Sequence, residues 1–354
     1  MTSHSWDSLN MTSLNKSAYL INILAFLCLL LACFAPYLSP EHVTFISIFG
    51  LAFPILFLVN LCFVFYWAFQ WNRKFIFSLL GLVAGWPLLC AYFPMNIKKK
   101  ADSRDNSLKV LSYNVKLFDF DQWNRNVSDN RTQMIDLIKN EKADVICLQE
   151  FYKIDYAGYS FNTLDTLLSL LHPVYYHFGC SLHGIRNQGF GLITFSKFKI
   201  INEGAVEIKT EGTNYCIYTD ILKANDTVRI YNLHLQSLWH KSFKGLYDAF
   251  LLRARQADII SGHIKNCKFP VIVCGDFNDT PSSYCYHKIK GALLDSYVEN
   301  GFGIGSTFAG AIPFQRIDYI LCNSDFTCRS FHVIPSRASD HYPIISTLGL
   351  HERK

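Results

Sequence analysis

The chain has 354 residues, enough for one large domain or two ordinary ones, and its long apolar runs are concentrated in the first 100 positions. The formal net charge of +5 is also unevenly placed, because residues 101–354 hold 27 Lys and Arg against 26 Asp and Glu. A region so close to neutral lacks the broad basic face expected of a protein that grips long duplex DNA.

Three uncharged runs in the first 100 residues are each long enough to cross a bilayer. They comprise residues 17–40, 43–71 and 75–97, which are 24, 29 and 23 residues long. Crossing needs about 20 residues, and a cleaved signal peptide would account for the first run only. We therefore predict an integral, multi-pass membrane anchor over residues 1–97, with three transmembrane helices in the lipid bilayer.

Charged residues beside these runs bear on the orientation of the anchor. Lys16, Arg73 and Lys74 fall on one side of a three-helix arrangement, and residues 98–100, all Lys, fall on the other. The first run has Lys16 before it and Glu41 after it, which favours an inward N-terminus and places the rest of the chain outside the cytoplasm. The eight cysteines beyond residue 100 would instead suit a reducing compartment, so both orientations stay open.

A polar linker over residues 98–107 precedes a second predicted domain at 108–354. Strand-like runs occur there at 108–113, 144–148, 191–195, 215–222, 228–234, 269–275, 317–322 and 342–348. Helical patterns lie between some of them, at 131–140, 164–171 and 246–264. Many strands with interspersed helices predict an α/β domain with a large, mixed sheet system.

The stretch V-I-V-C-G-D-F-N, residues 271–278, ends a strand-like run with two polar side chains. Asp276 and Asn278 are two positions apart, so on extended backbone they project to the same side. The carboxylate can accept a proton from water, and the amide can donate to an oxyanion. The alternative is a strand that runs into an Asx-type turn.

Other strand-like runs also end on polar residues that suit catalysis. These residues are Asn114, Glu150, His234, Asp318, Asp340 and His341. Any one of them is compatible with a cap or a turn. Their occurrence together favours a catalytic site.

Two further features lie near these motifs. Arg253 and Gln256 are three positions apart on the helix predicted over 246–264. We expect both to be exposed to solvent, and packing of this helix face near the end of the first strand is the alternative. Trp239, His240 and Phe243 follow the His234 strand and are compatible with base stacking, contact with a membrane surface or ordinary loop packing.

Six short motifs carry a resemblance to a known family. They are S-Y-N-V, L-Q-E, N-L-H-L, G-D-F-N, R-I-D-Y-I and S-D-H-Y-P, in this order between residues 108 and 348. Their order and kind resemble the endonuclease/exonuclease/phosphatase (deoxyribonuclease I-like) superfamily, here as a membrane-anchored member. The resemblance implies a four-layer α/β sandwich of two packed mixed β-sheets flanked by helices, with the site at one edge.

The resemblance also implies a metal site. Glu150 would be the principal ligand of a divalent cation, Mg²⁺ with Mn²⁺ as the alternative, and Asn114 and Asp340 would support it. A hard cation prefers carboxylate oxygens, which agrees with these residue types.

The remaining matched residues have implied roles in catalysis. Asp276 would orient or deprotonate the attacking water, and Asn278 would bind a non-bridging phosphate oxygen. His234 and His341 would stabilise charge on the phosphorane, and Asp318 would orient His341.

We therefore predict a membrane-tethered, divalent-metal-dependent phosphoester hydrolase. Its substrate would be nucleic acid, a phospholipid head group or a small phosphodiester; the near-neutral domain argues against nucleic acid, whereas tethering would favour a lipid. The alternative is a catalytically idle binding or scaffold module of the same fold. The uncharged runs argue against a transporter, because they hold no intramembrane charge to mark an ion pathway.

Overall fold

The computed structural model describes residues 13–96, 106–119, 129–154, 162–172, 174–183, 188–208, 215–238, 242–310 and 315–351. Most of the predicted linker, residues 98–105 of 98–107, lies outside the described residues. The same is true of Trp239 and His240 in the predicted aromatic loop.

Apolar helices make up the first described region. They are α1 (Ser13–Phe34), α2 (Pro40–Val43), α3 (Ile46–Leu51), α4 (Phe53–Phe69) and α5 (Phe75–Tyr92). By length and composition, α1 and α5 qualify to cross a membrane, whereas α4 is a shorter apolar helix of 17 residues. The prediction of three transmembrane helices is therefore corrected to two candidate spans within the described residues.

The second uncharged run is interrupted at Ala52, between α3 and α4. Pro54 stands in the first turn of α4, a position that proline favours. Proline has no N–H to donate to the carbonyl four residues earlier, that of Gly50. The hydroxyl of Ser282 donates to this carbonyl at 2.7 Å instead. A count of uncharged residues does not register such a break, which is why the sequence overestimated the second helix.

The helices pack around an apolar core and also present apolar side chains outward. Leu29 and Phe53 are fully buried between helices, while Leu24 and Leu58 are exposed. An apolar core inside an apolar outer surface is typical of helices that lie in lipid.

Strands and helices alternate in the second region. They are β1 (Ser107–Asn114), α6 (Asp129–Glu141), β2 (Val145–Ile154), α7 (Thr163–Leu170), β3 (Tyr175–His183), β4 (Gln188–Ser196), β5 (Ile200–Val206), β6 (Cys216–Lys223), β7 (Asp226–His234), α8 (Phe243–Lys265), β8 (Val271–Asp276), α9 (Tyr284–Lys290), β9 (Leu294–Asp295), α10 (Ser296–Asn300), β10 (Asp318–Cys322), β11 (Phe326–Val333) and β12 (Ile344–Leu350).

These strands form two six-stranded sheets. The order is β11-β12-β1-β2-β4-β3 in the first sheet and β5-β6-β7-β8-β10-β9 in the second. Both sheets are mixed, because β1 pairs in parallel with β2 and β7 with β8, while pairs such as β1 with β12 and β8 with β10 are antiparallel.

Three apolar clusters separate the layers of the sandwich. Val110 and Ile272 belong to the cluster between the two sheets. Met134 of α6 packs with the outer face of the first sheet, and Ile260 of α8 packs with that of the second. The order helix, sheet, sheet, helix agrees with the prediction of two packed mixed sheets flanked by helices.

The apolar helices pack directly on the sandwich through buried polar groups. The hydroxyls of Tyr92 and Ser282 lie 2.7 Å apart, and the guanidinium of Arg316 donates to the carbonyl of Ala91 at 2.9 Å. Ser282 and Arg316 are both buried. Because these side chains are covered by the helices, the two regions share one interface.

We predict that Gly50→Ala lowers the stability of the full-length protein by about 1–3 kcal/mol through overpacking. A Cβ at this position would lie 2.8 Å from the Cβ of Ala35 and 3.0 Å from the carbonyl oxygen of Ser282. Gly262→Ala is the matched control, because an added Cβ there meets nothing within 4 Å. Alanine is favoured over glycine inside a helix by about 0.5–1 kcal/mol.

Thermal unfolding of the detergent-solubilised protein, followed by circular dichroism, measures both variants. A melting temperature of Gly50→Ala equal to or above that of the wild type would contradict the close contact between α3 and the sandwich.

Candidate active site

The register of the strands brings polar residues to one edge of the two sheets. His234 lies opposite Asp276 in the parallel pair β7 and β8, and Asp318 lies opposite Asp276 in the antiparallel pair β8 and β10. In the other sheet, Asn114 is the last residue of β1 and pairs with Gln149 of β2, which directly precedes Glu150. The amide of Asn114 reaches the carboxylate of Asp276 at 3.1 Å, so the ends of the two sheets meet here.

Six of the eight predicted site residues line one cleft of about 950 Å³. They are Glu150, His234, Asp276, Asn278, Asp340 and His341. The other two, Asn114 and Asp318, are 1% and 2% exposed. They lie behind the cleft, where Asn114 donates to Asp276 and Asp318 accepts from His341.

The buried carboxylate of Asp276 is the centre of this arrangement. Its Oδ1 accepts the backbone N–H of Asn278 at 2.8 Å, and its Oδ2 accepts the amide of Asn114 at 3.1 Å. Nε2 of His234 and Nε2 of His341 each lie 3.6 Å from Oδ2. The side-chain amide of Asn278 donates to Oδ2 as well, at 3.3 Å, so three donors fix the carboxylate and two imidazoles flank it.

His341 is oriented by Asp318, which is the contact that the resemblance implied. Nδ1 of His341 lies 3.0 Å from Oδ2 and 3.2 Å from Oδ1 of Asp318. Burial by itself lowers the pKa of His341, but the carboxylates of Asp318 and Asp276 outweigh burial and raise this pKa to about 10. The imidazole is therefore cationic at neutral pH, with a proton on Nε2.

Glu150 reaches the cleft through an irregular strand. Its φ is 50°, and the pairing of β2 with β4 shifts register between Leu148 and Phe151. Bulges of this kind re-aim a side chain within a strand, and positive φ marks local strain at a non-glycine residue. The side chain is 34% exposed, and its Oε1 accepts the amide of Asn114 at 3.0 Å.

Asn278 also has backbone in the left-handed region, with a φ of 51°, which asparagine tolerates better than most residues. Its Nδ2 donates to the carbonyl of Leu235 at 2.9 Å and to Oδ2 of Asp276 at 3.3 Å. In this structure the amide therefore ties Asp276 to the end of β7.

Arg253 and Gln256 are 0% and 1% exposed, so the expectation of solvent exposure was wrong. The guanidinium of Arg253 donates to the carbonyls of Asn278 and Gln236, and its Nη2 lies 2.9 Å from Oδ2 of Asp279. Gln256 accepts the backbone N–H of Gln236 at 2.9 Å. These two side chains hold the loops that follow β7 and β8, a role the sequence analysis missed.

The turn after β1 is strained. Lys116, Leu117, Phe118 and Asp119 have φ values of 43°, 54°, 52° and 59°. Left-handed backbone costs about 1–2 kcal/mol for each residue other than glycine, and strain of this kind concentrates at functional sites. The turn places Leu117 on the cleft and Nζ of Lys116 at 3.0 Å from Oδ2 of Asp340.

The cleft contains carboxylates of the kind that bind a divalent cation. Among the described residues, Asp276, Asp318 and His341 form a group whose ligand atoms all lie within 4.8 Å of one another. Within that group His341 and Asp318 already bind each other, whereas the carboxylates of Glu150 and Asp340 line the cleft and are partly exposed. Carboxylate oxygens are the ligands that hard cations prefer.

Two protein-family models match this chain. Residues 111–341 match the endonuclease/exonuclease/phosphatase family, and residues 15–92 match a domain of unknown function. The 2′,5′-phosphodiesterase 12 of Mus musculus is 26% identical over an alignment of 275 positions that covers 62% of this chain. The chain spans 42% of the length of that relative.

Solved structures share the sandwich. The catalytic domain of human Nocturnin, with a bound sulfate anion, is 19% identical with a TM-score of 0.55, over 70% of this chain and 95% of that one. A mannosyl-6-phosphatase of Bacteroides thetaiotaomicron is 18% identical with a TM-score of 0.53, over 68% of this chain and 99% of that one. At these identities the likeness shows the common fold.

We predict that Arg253→Met lowers the free energy of unfolding by about 3–5 kcal/mol, because it leaves the buried carboxylate of Asp279 without its cation. Arg255→Met is the matched control on the same helix. Nε of Arg255 lies 2.6 Å from Oε1 of Glu41, but the arginine side chain is 60% exposed, so its loss costs about 0–1 kcal/mol. Chemical denaturation of both full-length variants compares them, and equal losses would contradict the role given to Arg253.

We also predict that Asp318→Asn lowers the pKa of His341 from about 10 towards or below its ordinary value. Burial lowers this pKa, and in the variant one of the carboxylates that raise it is gone. A histidine with a raised pKa adds stability below about pH 6.5 and loses that contribution as pH rises towards the folded pKa. The wild type should therefore lose stability between about pH 6.5 and pH 10 from this pair, and the variant should lose less.

Imidazole NMR titration in metal-free buffer, with the His341 signal assigned through His341→Gln, measures this pKa. An unchanged value in Asp318→Asn would show that Asp318 does not hold the imidazole in its cationic form.

Proposed function

This chain belongs to the endonuclease/exonuclease/phosphatase family, and from that membership we propose a membrane-tethered, divalent-metal-dependent phosphoester hydrolase. One observation carries the proposal: the carboxylate of Asp276 is fixed by Asn114 and flanked at 3.6 Å by His234 and His341. Phosphoester hydrolysis needs a base for water and positive charge near the phosphate oxygens, and this arrangement offers both.

In the proposed reaction the oxygen of water bonds to phosphorus, one ester P–O bond breaks, and the leaving oxygen takes up a proton. Asp276 orients the water and accepts its proton. His341, held by Asp318, donates its Nε2–H to a phosphate oxygen, and His234 contacts the phosphate beside it. Asn278 keeps the carboxylate of Asp276 in place, because its amide and its backbone N–H both donate to that group. That its amide also binds a non-bridging phosphate oxygen stays a prediction.

Glu150 would hold the divalent cation, Mg²⁺ or Mn²⁺, with Asn114 and Asp340 in support. When bound, such an ion supplies positive charge that polarises the phosphoryl oxygens. Glu150 suits this role because its carboxylate is partly exposed to the cleft and is fixed by the amide of Asn114.

The relatives support phosphoester hydrolysis as the reaction class. By their names, one is a phosphodiesterase and another a phosphatase, and the catalytic domain of Nocturnin carries a sulfate anion. These differ in substrate, so they support the chemistry and not one substrate.

We further propose that the cleft lies outside the cytoplasm. Lys16, Arg73 and Lys74 flank the helices at one end, where Nζ of Lys74 lies 4.5 Å from the ring centre of Tyr19. The other end, with Gly50, contacts the sandwich. Residues 98–100, all Lys, follow the last span in the sequence, so the total of Lys and Arg is balanced between the two ends. The first span carries the proposal: Lys16 precedes it and Glu41 follows it, which favours a cytoplasmic N-terminus and would place the sandwich on the opposite face.

The test is hydrolysis of bis(p-nitrophenyl) phosphate by the full-length protein in detergent. We expect turnover with Mg²⁺ or Mn²⁺ that stops when EDTA is added. Asp276→Asn and His341→Gln should each lower kcat by about 10²- to 10⁴-fold. Asp165→Asn and His332→Gln are matched controls, because both residues are exposed and neither lines the cleft.

The proposed function would be contradicted by the absence of metal-dependent turnover of any phosphoester, or by equal turnover in all four variants. The chain would then be a catalytically idle binding or scaffold module of the same fold.

A further inference from the structure

The cleft that contains Asp276 has apolar walls. Its half-buried lining side chains include Leu51, Leu117, Leu238, Leu246 and Phe308. None of the described residues that line it is Lys or Arg. A site for a nucleic-acid backbone needs cations along the track of phosphates, whereas apolar walls around a few polar groups suit a substrate with a large apolar part.

One wall of the cleft comes from the apolar helices. Leu51 is the last residue of α3, and the carbonyl of its neighbour Gly50 accepts the hydroxyl of Ser282 at 2.7 Å. Thr280, two residues before Ser282, lines the same cleft as Leu51. The cleft is therefore continuous with the end of the helical bundle that faces the sandwich.

The same end of the bundle adjoins the candidate membrane spans. Ala35, directly after α1, lies against Gly50 in close packing, and Tyr92, the last residue of α5, contacts Ser282. A bilayer around α1 and α5 would thus end beside the mouth of the cleft. An apolar chain that leaves this bilayer needs to cross little water to reach Leu51.

We propose that the substrate is a membrane phospholipid, whose phosphoester reaches Asp276 while its acyl chains lie against Leu51 and the other apolar side chains of the cleft. This inference rests on the proposed function and on the two candidate spans lying in a bilayer. The reaction balances without a further reactant: water bonds to phosphorus, one ester bond of the head group breaks, and the released alcohol oxygen gains a proton.

The charge of the chain agrees with a lipid substrate. Residues 101–354 carry a net charge of +1, which gives no strong general attraction for a polyanion. A tether that holds enzyme and lipid at the same surface raises the effective concentration of the substrate without a basic patch.

The experiment uses the full-length protein in mixed micelles of detergent with phosphatidylcholine and phosphatidylglycerol, in the presence of Mg²⁺ or Mn²⁺. ³¹P NMR measures hydrolysis of the lipids, and the same preparation is assayed on bis(p-nitrophenyl) phosphate and on plasmid DNA. We expect lipid hydrolysis, and we expect Leu51→Ala to lower the ratio of lipid to soluble-ester turnover by about tenfold.

Leu58→Ala is the matched control. Leu58 is an exposed leucine of α4 that does not line the cleft, so the ratio should stay at the wild-type value. Circular dichroism of both variants establishes that the helices are retained.

The outcomes separate this inference from the proposed function. Hydrolysis of the soluble ester or of DNA without hydrolysis of lipid overturns the lipid assignment and leaves the phosphoester hydrolase standing. An unchanged ratio in Leu51→Ala, or the same change in Leu58→Ala, also overturns it. Absence of turnover on every ester overturns the proposed function itself, and the lipid assignment with it.

Discussion

The site depends on keeping the carboxylate of Asp276 charged while it is buried. A buried charge costs several kcal/mol unless donors and cations compensate for the lost water. Asn114 supplies one donor from the first sheet, and Asn278 supplies two from the loop after β8, its backbone N–H and its side-chain amide. The cationic imidazole of His341, itself held by Asp318, adds positive charge nearby. These groups come from both sheets and from the segments that follow them. The donors and the cation therefore surround Asp276 only while the two sheets are packed together.

The loop after β8 is held from two sides, which links the apolar helices to the site. On one side the guanidinium of Arg253 binds the carbonyl of Asn278. On the other side Ser282 donates to the carbonyl of Gly50 and contacts the hydroxyl of Tyr92. Removing the helices would expose the buried hydroxyl of Ser282 and free one end of this loop. The full chain, and not the sandwich alone, is therefore the unit in which the geometry around Asp276 is defined.

The alternation of strand-like and helical runs predicted an α/β domain, and the order of the motifs, through the family resemblance that it carries, implied the sandwich and the edge at which the polar residues gather. Other structural features could not be predicted from the sequence. The strained backbone of Glu150 follows from a shift in strand pairing that only the neighbouring strand reveals. The burial of Arg253 depends on Asp279 and on carbonyls in loops far away in the sequence. Helical spacing shows which residues share one face of the helix, but it does not show whether that face is buried. The break between α3 and α4 was not predicted, because a count of uncharged residues does not consider the hydrogen bond that Pro54 cannot make.

The position of Leu51 changes what the helices contribute. If they served only to hold the sandwich at a membrane, any apolar span joined by a linker would suffice, and no helical residue would need to lie on the cleft. In this structure Leu51 forms part of the cleft wall, and the carbonyl of Gly50 beside it accepts a hydrogen bond from Ser282 in the loop that follows Asp276. The same short segment thus contacts both the space for the substrate and the support of Asp276. A change in the packing of α3 would therefore alter both the wall of the cleft and the support of the loop after Asp276.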